Sequence, residues 1–257
     1  MSSQSLRKRG NLNIDTSCFL KSEKSLKIAV KISIIQLKQW MRGNNISGKI
    51  KIYNKITSSE LYKLVDFEID PNDKTYGQPD GGIVFWEING KQFLILVSED
   101  KCQGTNDKRR IEGKKKQALG NSIERAFKNQ NFFGLLVLQE TIYPYIIFCS
   151  GCDFDKNETI SNRLRQGNYG KKNIRGSDIY KDFSIEKFLK VKDTSTVFIK
   201  SHSWKDDQKN WKRWSVPERT SILFNTMKKA IAYYNNKYFK SNHNVDEVNN
   251  LLNDLKL

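Results

Sequence analysis

The dipeptide Asn89-Gly90 lies between two apolar runs, Ile83 to Ile88 and Phe93 to Ser98. Both residues tolerate positive φ, which a tight two-residue hairpin turn demands, so the stretch reads as a β-hairpin. That hairpin constrains the rest of the chain. It folds the polypeptide back so that Asp80, nine residues before Asn89, and Glu99, nine residues after Gly90, sit at matching heights. Side chains alternate along a strand, so Glu99 and Lys101 share one face while Asp100 points to the other. Two carboxylates and one ammonium then converge at a strand end. Such a set suits a divalent cation, with the ammonium beside an attacking water or a phosphate oxygen. Pro-Asp followed at a distance by Glu-x-Lys is also a short pattern. Among 28 acids and 45 bases it arises by chance, as a solvated turn aspartate and a strand-end ion pair.

Composition narrows the partner. The formal charge of +17 favours a polyanion, with nucleic acid ahead of an anionic membrane. Abundant Lys, Asn and Ile, as an AT-rich genome would encode, offer a second source for the basic excess. A chain of 257 residues can bury one full core. Cys18, Cys102, Cys149 and Cys152 make no dense disulfide framework. Cys149-Ser-Gly-Cys152 has zinc-ribbon spacing but no second pair, and His202 and His243 are far away in sequence, so buried thiols are the better reading. No apolar run approaches the roughly 18 residues of a membrane span. The basic start, Met1 to Gly10, is not followed by an apolar signal segment, which reads as soluble and cytoplasmic.

Residues 1–22 read as a basic N-terminal arm, and 23–257 as a single domain. Lys24 to Arg42 carries Leu26, Val30, Ile34, Leu37 and Met41 at helical spacing, although Ile28 to Ile34 also alternates like a strand. Lys49 to Ile56 reads as a short strand, and Ser58 or Ser59 as the cap of a helix through Leu61, Leu64 and Val65. Glu60 in that helix is either a further acid near the site or a surface carboxylate. After the hairpin, Lys108, Arg109, Arg110, Lys114, Lys115 and Lys116 form a basic loop beside the candidate site, fit to grip phosphates. Gln117 to Asn129 reads as a helix whose polar side collects Asn121, Glu124, Arg125 and Lys128. Phe132 to Leu138 and Tyr145 to Cys149 look like central strands. Residues 153–183 are a long polar, Gly-rich loop of the kind that usually carries function. Thr196 to Ser201 reads as a strand. Trp204, Trp211 and Trp214 suit either a stacking surface or core packing. Ser215 and Glu218 form a capping box ahead of a helix through Leu223, Met227, Ile231, Tyr234 and Tyr238.

Four blocks in order resemble the EcoRI-type restriction endonucleases, members of the PD-(D/E)xK nucleases. They are Pro79-Asp80-Gly81-Gly82-Ile83-Val84; Leu96 to Gly104 with its Glu99-Asp100-Lys101; Gly120-Asn121-Ser122-Ile123-Glu124-Arg125 with Lys128-Asn129; and Tyr143-Pro144-Tyr145 with Phe148. A weaker fifth block is Asn162-Arg163-Leu164 with Asn168-Tyr169-Gly170. The resemblance implies an α/β domain with a central mixed five-stranded sheet flanked by helices, and DNA-contacting loops at about 102–120 and 153–183. It implies a homodimer that cuts both strands of a palindrome containing AATT, leaving 5′ overhangs, with Mg²⁺. Asp80 and Glu99 would hold the metal and Lys101 would assist or orient the water. Asn121, Glu124 and Arg125 would read the adenines. Their chemistry agrees: Asn is bidentate to adenine, and Glu accepts from an exocyclic amine. An i,i+4 pair of Glu124 with Lys128 is the plainer alternative for that helix face. One of Arg163 and Arg165 would read the outer base. A cognate methyltransferase is implied as a genetic partner.

The sequence departs from the family pattern in several places, among them Gln117-Ala118-Leu119 before Gly120 and the spacing of Arg163 and Arg165. The family's Glu-Ala-Lys is Glu99-Asp100-Lys101 here, and the segment between Lys101 and Asn121 is shorter. GAATTC is the first expectation for the site, with purine-AATT-pyrimidine, AATT and CAATTG as alternatives. A repair nuclease of the same superfamily would leave the Gly120–Arg125 match unexplained. A DNA-binding protein that no longer cuts would leave the intact Asp80, Glu99 and Lys101 unexplained.

Overall fold

Both turn residues of the hairpin adopt positive φ, 50° at Asn89 and 75° at Gly90. They join β4 (Ile83–Ile88) to β5 (Lys91–Cys102). The computed structural model describes residues 16–65, 75–102, 112–113, 128–150, 196–200 and 214–240. Ahead of the hairpin come α1 (Thr16–Gly43), β1 (Lys49–Tyr53), β2 (Ile56–Thr57), α2 (Ser58–Val65) and β3 (Tyr76–Gly77). After it come β6 (Tyr145–Ser150), β7 (Thr196–Lys200) and α3 (Val216–Asn235). The main sheet has the order β1-β4-β5-β6-β7, and β2 pairs with β3 separately. Strands β1, β4 and β5 are antiparallel neighbours, whereas β5, β6 and β7 run parallel. The fold is therefore mixed α/β.

The parallel part explains why β6 is apolar throughout. Parallel strands are covered on both faces, and all six residues of β6 are buried. One face packs against α1 and α3 through Leu26, Leu37, Val84, Trp86, Ile146, Phe148, Leu223 and Ile231. The other face meets Leu61 of α2, Phe133 and Val137, with Ile83, Phe85, Leu94, Tyr145 and Ile147 from the strands. Helices thus sandwich the sheet, with β5 near its middle.

Several local expectations change. Phe132 to Leu138 is not a strand: residues 128–134 are helical and Leu135–Val137 form a 3₁₀ turn. A short apolar run buried against a sheet has no period that separates helix from strand. Helix α1 begins at Thr16, upstream of Lys24, so it takes in part of the segment read as a basic arm. Ser22 is buried there. The cap of α2 is Thr57, whose hydroxyl accepts from the Glu60 N–H at 3.3 Å while Glu60 Oε2 takes the Thr57 N–H at 2.8 Å. Glu60 is thereby a capping residue. Trp214 resolves as core packing: it lies 5.5 Å from Phe148, and its indole N–H donates to the Cys149 carbonyl at 3.0 Å. Trp204 and Trp211 lie outside the described residues. Cys149 is buried, as expected of a core thiol.

The expected height match of Asp80 with Glu99 is off by one residue. Pairing runs from Ile88↔Lys91 to Phe85↔Leu94 and resumes at Val84↔Leu96, which leaves Ile95 without a partner on β4. This β-bulge adds one residue to β5 and reverses its alternation. Ile95 and Leu96 consequently both face α1 and α3, while Leu94 and Val97 face the opposite core. Beyond the bulge, Gly81 N–H donates to Ser98 O at 2.9 Å and Ser98 N–H donates to Gly82 O at 3.3 Å. Asp80 therefore stands opposite Asp100. A Cβ on Gly81 would lie 2.1 Å from the Ser98 hydroxyl, so only glycine lets the turn approach β5 this closely.

Candidate active site

The C-terminal end of β5 gathers the three residues named from the hairpin. Asp80 arrives on the turn before β4, and its Oδ2 accepts the backbone N–H of Asp100 at 3.0 Å. The Lys101 ammonium lies 3.2 Å from that same Oδ2 and 2.5 Å from Glu99 Oε2. One oxygen of each carboxylate thus converges on a single cation-sized position. Glu99 is 1% exposed, so its charge has protein partners rather than bulk water. Its other oxygen, Oε1, accepts from Tyr145 OH at 3.0 Å and from the Asn129 amide. Tyr143, next to this cluster, donates its hydroxyl to Gln130 O, which ties the helical stretch at 128–134 to the start of β6.

Electrostatics follow from this crowding. Burial raises the Glu99 carboxyl above the usual range; Lys101 and the Asn129 bond oppose the rise, and the charge of Asp80 adds to it. Burial by itself would lower the Lys101 ammonium, but Glu99 and Asp80 together hold it well above its ordinary value. Lys101 is accordingly a permanent cation and hydrogen-bond donor in this arrangement. Tyr145 is pushed far up by burial and by Glu99, so its hydroxyl donates to the carboxylate as a neutral phenol.

The sequence pattern missed three neighbours. Asn129 and Tyr145 were visible only as members of matched blocks, with no cue to what they touch. Glu23 of α1 is raised by burial and then by the charge of Asp80, which puts a third carboxylate within electrostatic reach of Asp80 and Lys101. Its position 57 residues upstream of Asp80 left no local signal. Among the described residues, no three His, Cys, Asp or Glu side chains form a metal-binding cluster. Two carboxylates remain a sensible donor set for a hard cation that keeps several waters.

Asp100 takes the opposite face, as strand alternation requires, and is buried in an ion pair with Arg219 at 3.0 Å. Lys128 is exposed, with its ammonium 5.8 Å from the centre of the Tyr76 ring. Asn121, Glu124, Arg125, Arg163, Arg165, Lys108, Arg109, Arg110, Lys114, Lys115 and Lys116 lie outside the described residues. No helix among the described residues is long and apolar enough to cross a membrane.

The family model described as restriction endonuclease EcoRI matches residues 20–241. The type II restriction enzyme EcoRI of Escherichia coli is 28% identical over 57% of this chain and 61% of that enzyme. The type II restriction enzyme RsrI of Cereibacter sphaeroides is 39% identical over 30% of this chain and 31% of its own. Neither match reaches two thirds of the relative's length. The family match, in contrast, includes β5, β6, the Asp80 turn, α3 and all of α1 from residue 20 onward. The chain belongs to the EcoRI family of restriction endonucleases.

Proposed function

We propose that this chain is a type II site-specific deoxyribonuclease that hydrolyses both strands of a palindromic duplex containing AATT. GAATTC is the first candidate, cut to leave 5′ overhangs. The observation that carries the reading is the meeting of Asp80, Glu99 and Lys101 at the end of β5. A DNA-binding protein that had lost catalysis would have no use for two carboxylates aimed at one ammonium. Both curated relatives are named type II restriction enzymes, and the charge of +17 suits a polyanionic substrate.

Asp80 and Glu99 would hold Mg²⁺, because their Oδ2 and Oε2 already converge on one cation position. The bound ion would supply a Lewis acid that stabilises charge developing on the phosphate. Lys101 serves as a charged donor that orients the water or a phosphate oxygen. Tyr145 and Asn129 keep the Glu99 carboxylate in one orientation, which leaves Oε2 directed at the site.

Specificity is assigned to Asn121, Glu124 and Arg125 for the AATT core, and to Arg163 or Arg165 for the outer base. Lys108, Arg109, Arg110, Lys114, Lys115, Lys116 and Lys128 would grip the backbone. Assembly is assigned as a cytoplasmic homodimer, since a palindrome presents two equivalent half-sites to a two-fold protein. A methyltransferase that protects host DNA would accompany it genetically.

Digestion of a mixed-sequence plasmid with Mg²⁺, followed by sequencing of the fragment ends, tests the reading. Discrete fragments that share one motif around AATT are expected, and the same ends give the outer base. A smear would point to a repair nuclease, and tight binding without cutting to a silent DNA-binding protein. Within the assigned readers, removing Arg125 should lower discrimination at its base by about 1–3 kcal/mol. An equal loss on every sequence would mark it as a phosphate contact instead.

A further inference from the structure

We propose that Arg219 is a positioning residue for the catalytic strand. From the first turn of α3 it locks the end of β5 to the start of α1, and so fixes where Asp80, Glu99 and Lys101 meet. The inference rests on the hydrolytic reading above.

Arg219 is fully buried, which is unusual for the most polar of side chains. Its planar fork joins two elements at once. Nη1 donates to Ser22 O at 3.1 Å, and Nη2 donates to Ser22 Oγ at 2.9 Å. The same Nη2 donates to Asp100 Oδ1 at 3.0 Å. The guanidinium also lies 5.2 Å from the Phe148 ring, on the strand beside β5. The capped first turn of α3 sets the base of this fork. Ser215 accepts from the Glu218 N–H at 3.4 Å, and Arg219 N–H returns to Ser215 O at 3.1 Å.

Asp100 is the residue through which this lock reaches the site. It is flanked in the chain by Glu99 and Lys101, and its own N–H holds Asp80 Oδ2 at 3.0 Å. A shift of Asp100 therefore moves all three groups together. A buried ion pair contributes little net stability beside an apolar pair of the same volume. Placement is what its geometry supplies. Displacing reacting groups by about 1 Å costs on the order of 10²-fold in rate.

The test compares the wild-type full chain with Asp100→Ala/Arg219→Met and with Arg219→Lys. The double variant removes both buried charges together, so it should melt close to wild type. Arg219→Lys keeps a buried cation near Asp100 but has no fork to span Ser22 and Asp100. Single-turnover cleavage of an AATT-containing duplex with Mg²⁺, well below the melting temperature, is expected to slow by roughly 10–100-fold in both. Duplex affinity measured without divalent metal should stay within about two-fold of wild type, since Arg219 is buried away from any ligand. Wild-type cleavage rates in either folded variant would overturn the proposal, and the lysine variant decides if the double fails to fold. Amide exchange at Asp100 in the metal-free protein gives a readout free of activity. Faster exchange is expected in the variants, and unchanged protection would overturn the lock. Should the wild type cleave no duplex at all, the nuclease reading falls, while the exchange result still judges the lock.

Discussion

The two faces of the last turn of β5 carry similar residues and treat charge in opposite ways. On one face Glu99 and Lys101 meet Asp80, which has no place in the sheet and reaches the cluster from a turn. On the other, Asp100 is closed off by Arg219 and Ser22, all deeply buried. The ammonium between Asp80 and Glu99 is a compact point charge on a flexible stem, which the divalent cation of the proposed function would have to displace. The guanidinium on Asp100 is held by four contacts and has nowhere to go. Under the proposed function one carboxylate exchanges its partner and its neighbour keeps it. The bulge at Ile95 decides which is which, because without that extra residue Glu99 would face α1 and α3.

Breaking the exchangeable face should have the largest effect. Lys101→Ala is expected to lower cleavage by at least about 10²–10⁴-fold. Duplex binding should persist, as a gel-shift titration without metal would reveal. Joint loss of cutting and binding would make Lys101 a structural residue. On the permanent face, Arg219→Met alone strands a buried carboxylate. Removing one member of such a pair costs about 3–5 kcal/mol, measurable by urea unfolding. A loss below about 1 kcal/mol would mean that Asp100 is reached by water, contrary to its burial.

A smaller effect separates the two faces by pH. The Glu99 carboxyl is raised by burial, and the Asn129 amide is among the groups that hold it down. A cation needs the ionised form, so activity should fall as pH drops through a value above the ordinary glutamate range. Asn129→Ala removes a donor to the carboxylate and should move that acid limb to higher pH. Stability runs the other way. With the folded value raised, protonating Glu99 favours the fold, so its penalty grows as pH rises through that value. A pH–rate profile with an unmoved limb would show that Asn129 does not control Glu99.

Much of this was legible because strong local chemistry wrote it. Asn89-Gly90 announced the hairpin, Ser215 and Glu218 announced the start of α3, and the apolar run at Tyr145 announced a doubly covered strand. The two faces of β5 were legible too, since Glu99 and Lys101 alternate with Asp100. The bulge was not. Leu94, Ile95, Leu96 and Val97 are all apolar and all buried, so no change from polar to apolar marks where the alternation reverses. Phe132 to Leu138 failed for a related reason, an apolar run too short to display a period. Arg219 was hidden because its partners lie 119 and 197 residues away.

The smallest expected effect sharpens the comparison at its origin. Tyr234 of α3 is buried, and its hydroxyl donates to Leu94 O at 3.0 Å, immediately before the unpaired Ile95. A bulge disrupts the ladder locally, and its polar groups need other partners. Tyr234→Phe keeps the ring and its packing on Phe93, 4.9 Å away, while deleting that single donor. The expected loss is about 1 kcal/mol of unfolding free energy, the net value of one such bond. Amide exchange should quicken around residues 94–96 and leave β6 unchanged. If β5 slips by a residue even briefly, Glu99 and Asp100 exchange faces, and an acid meets apolar core. Local exchange at the wild-type rate would therefore mean that packing alone pins the bulge, and with it the division of charge between the two faces.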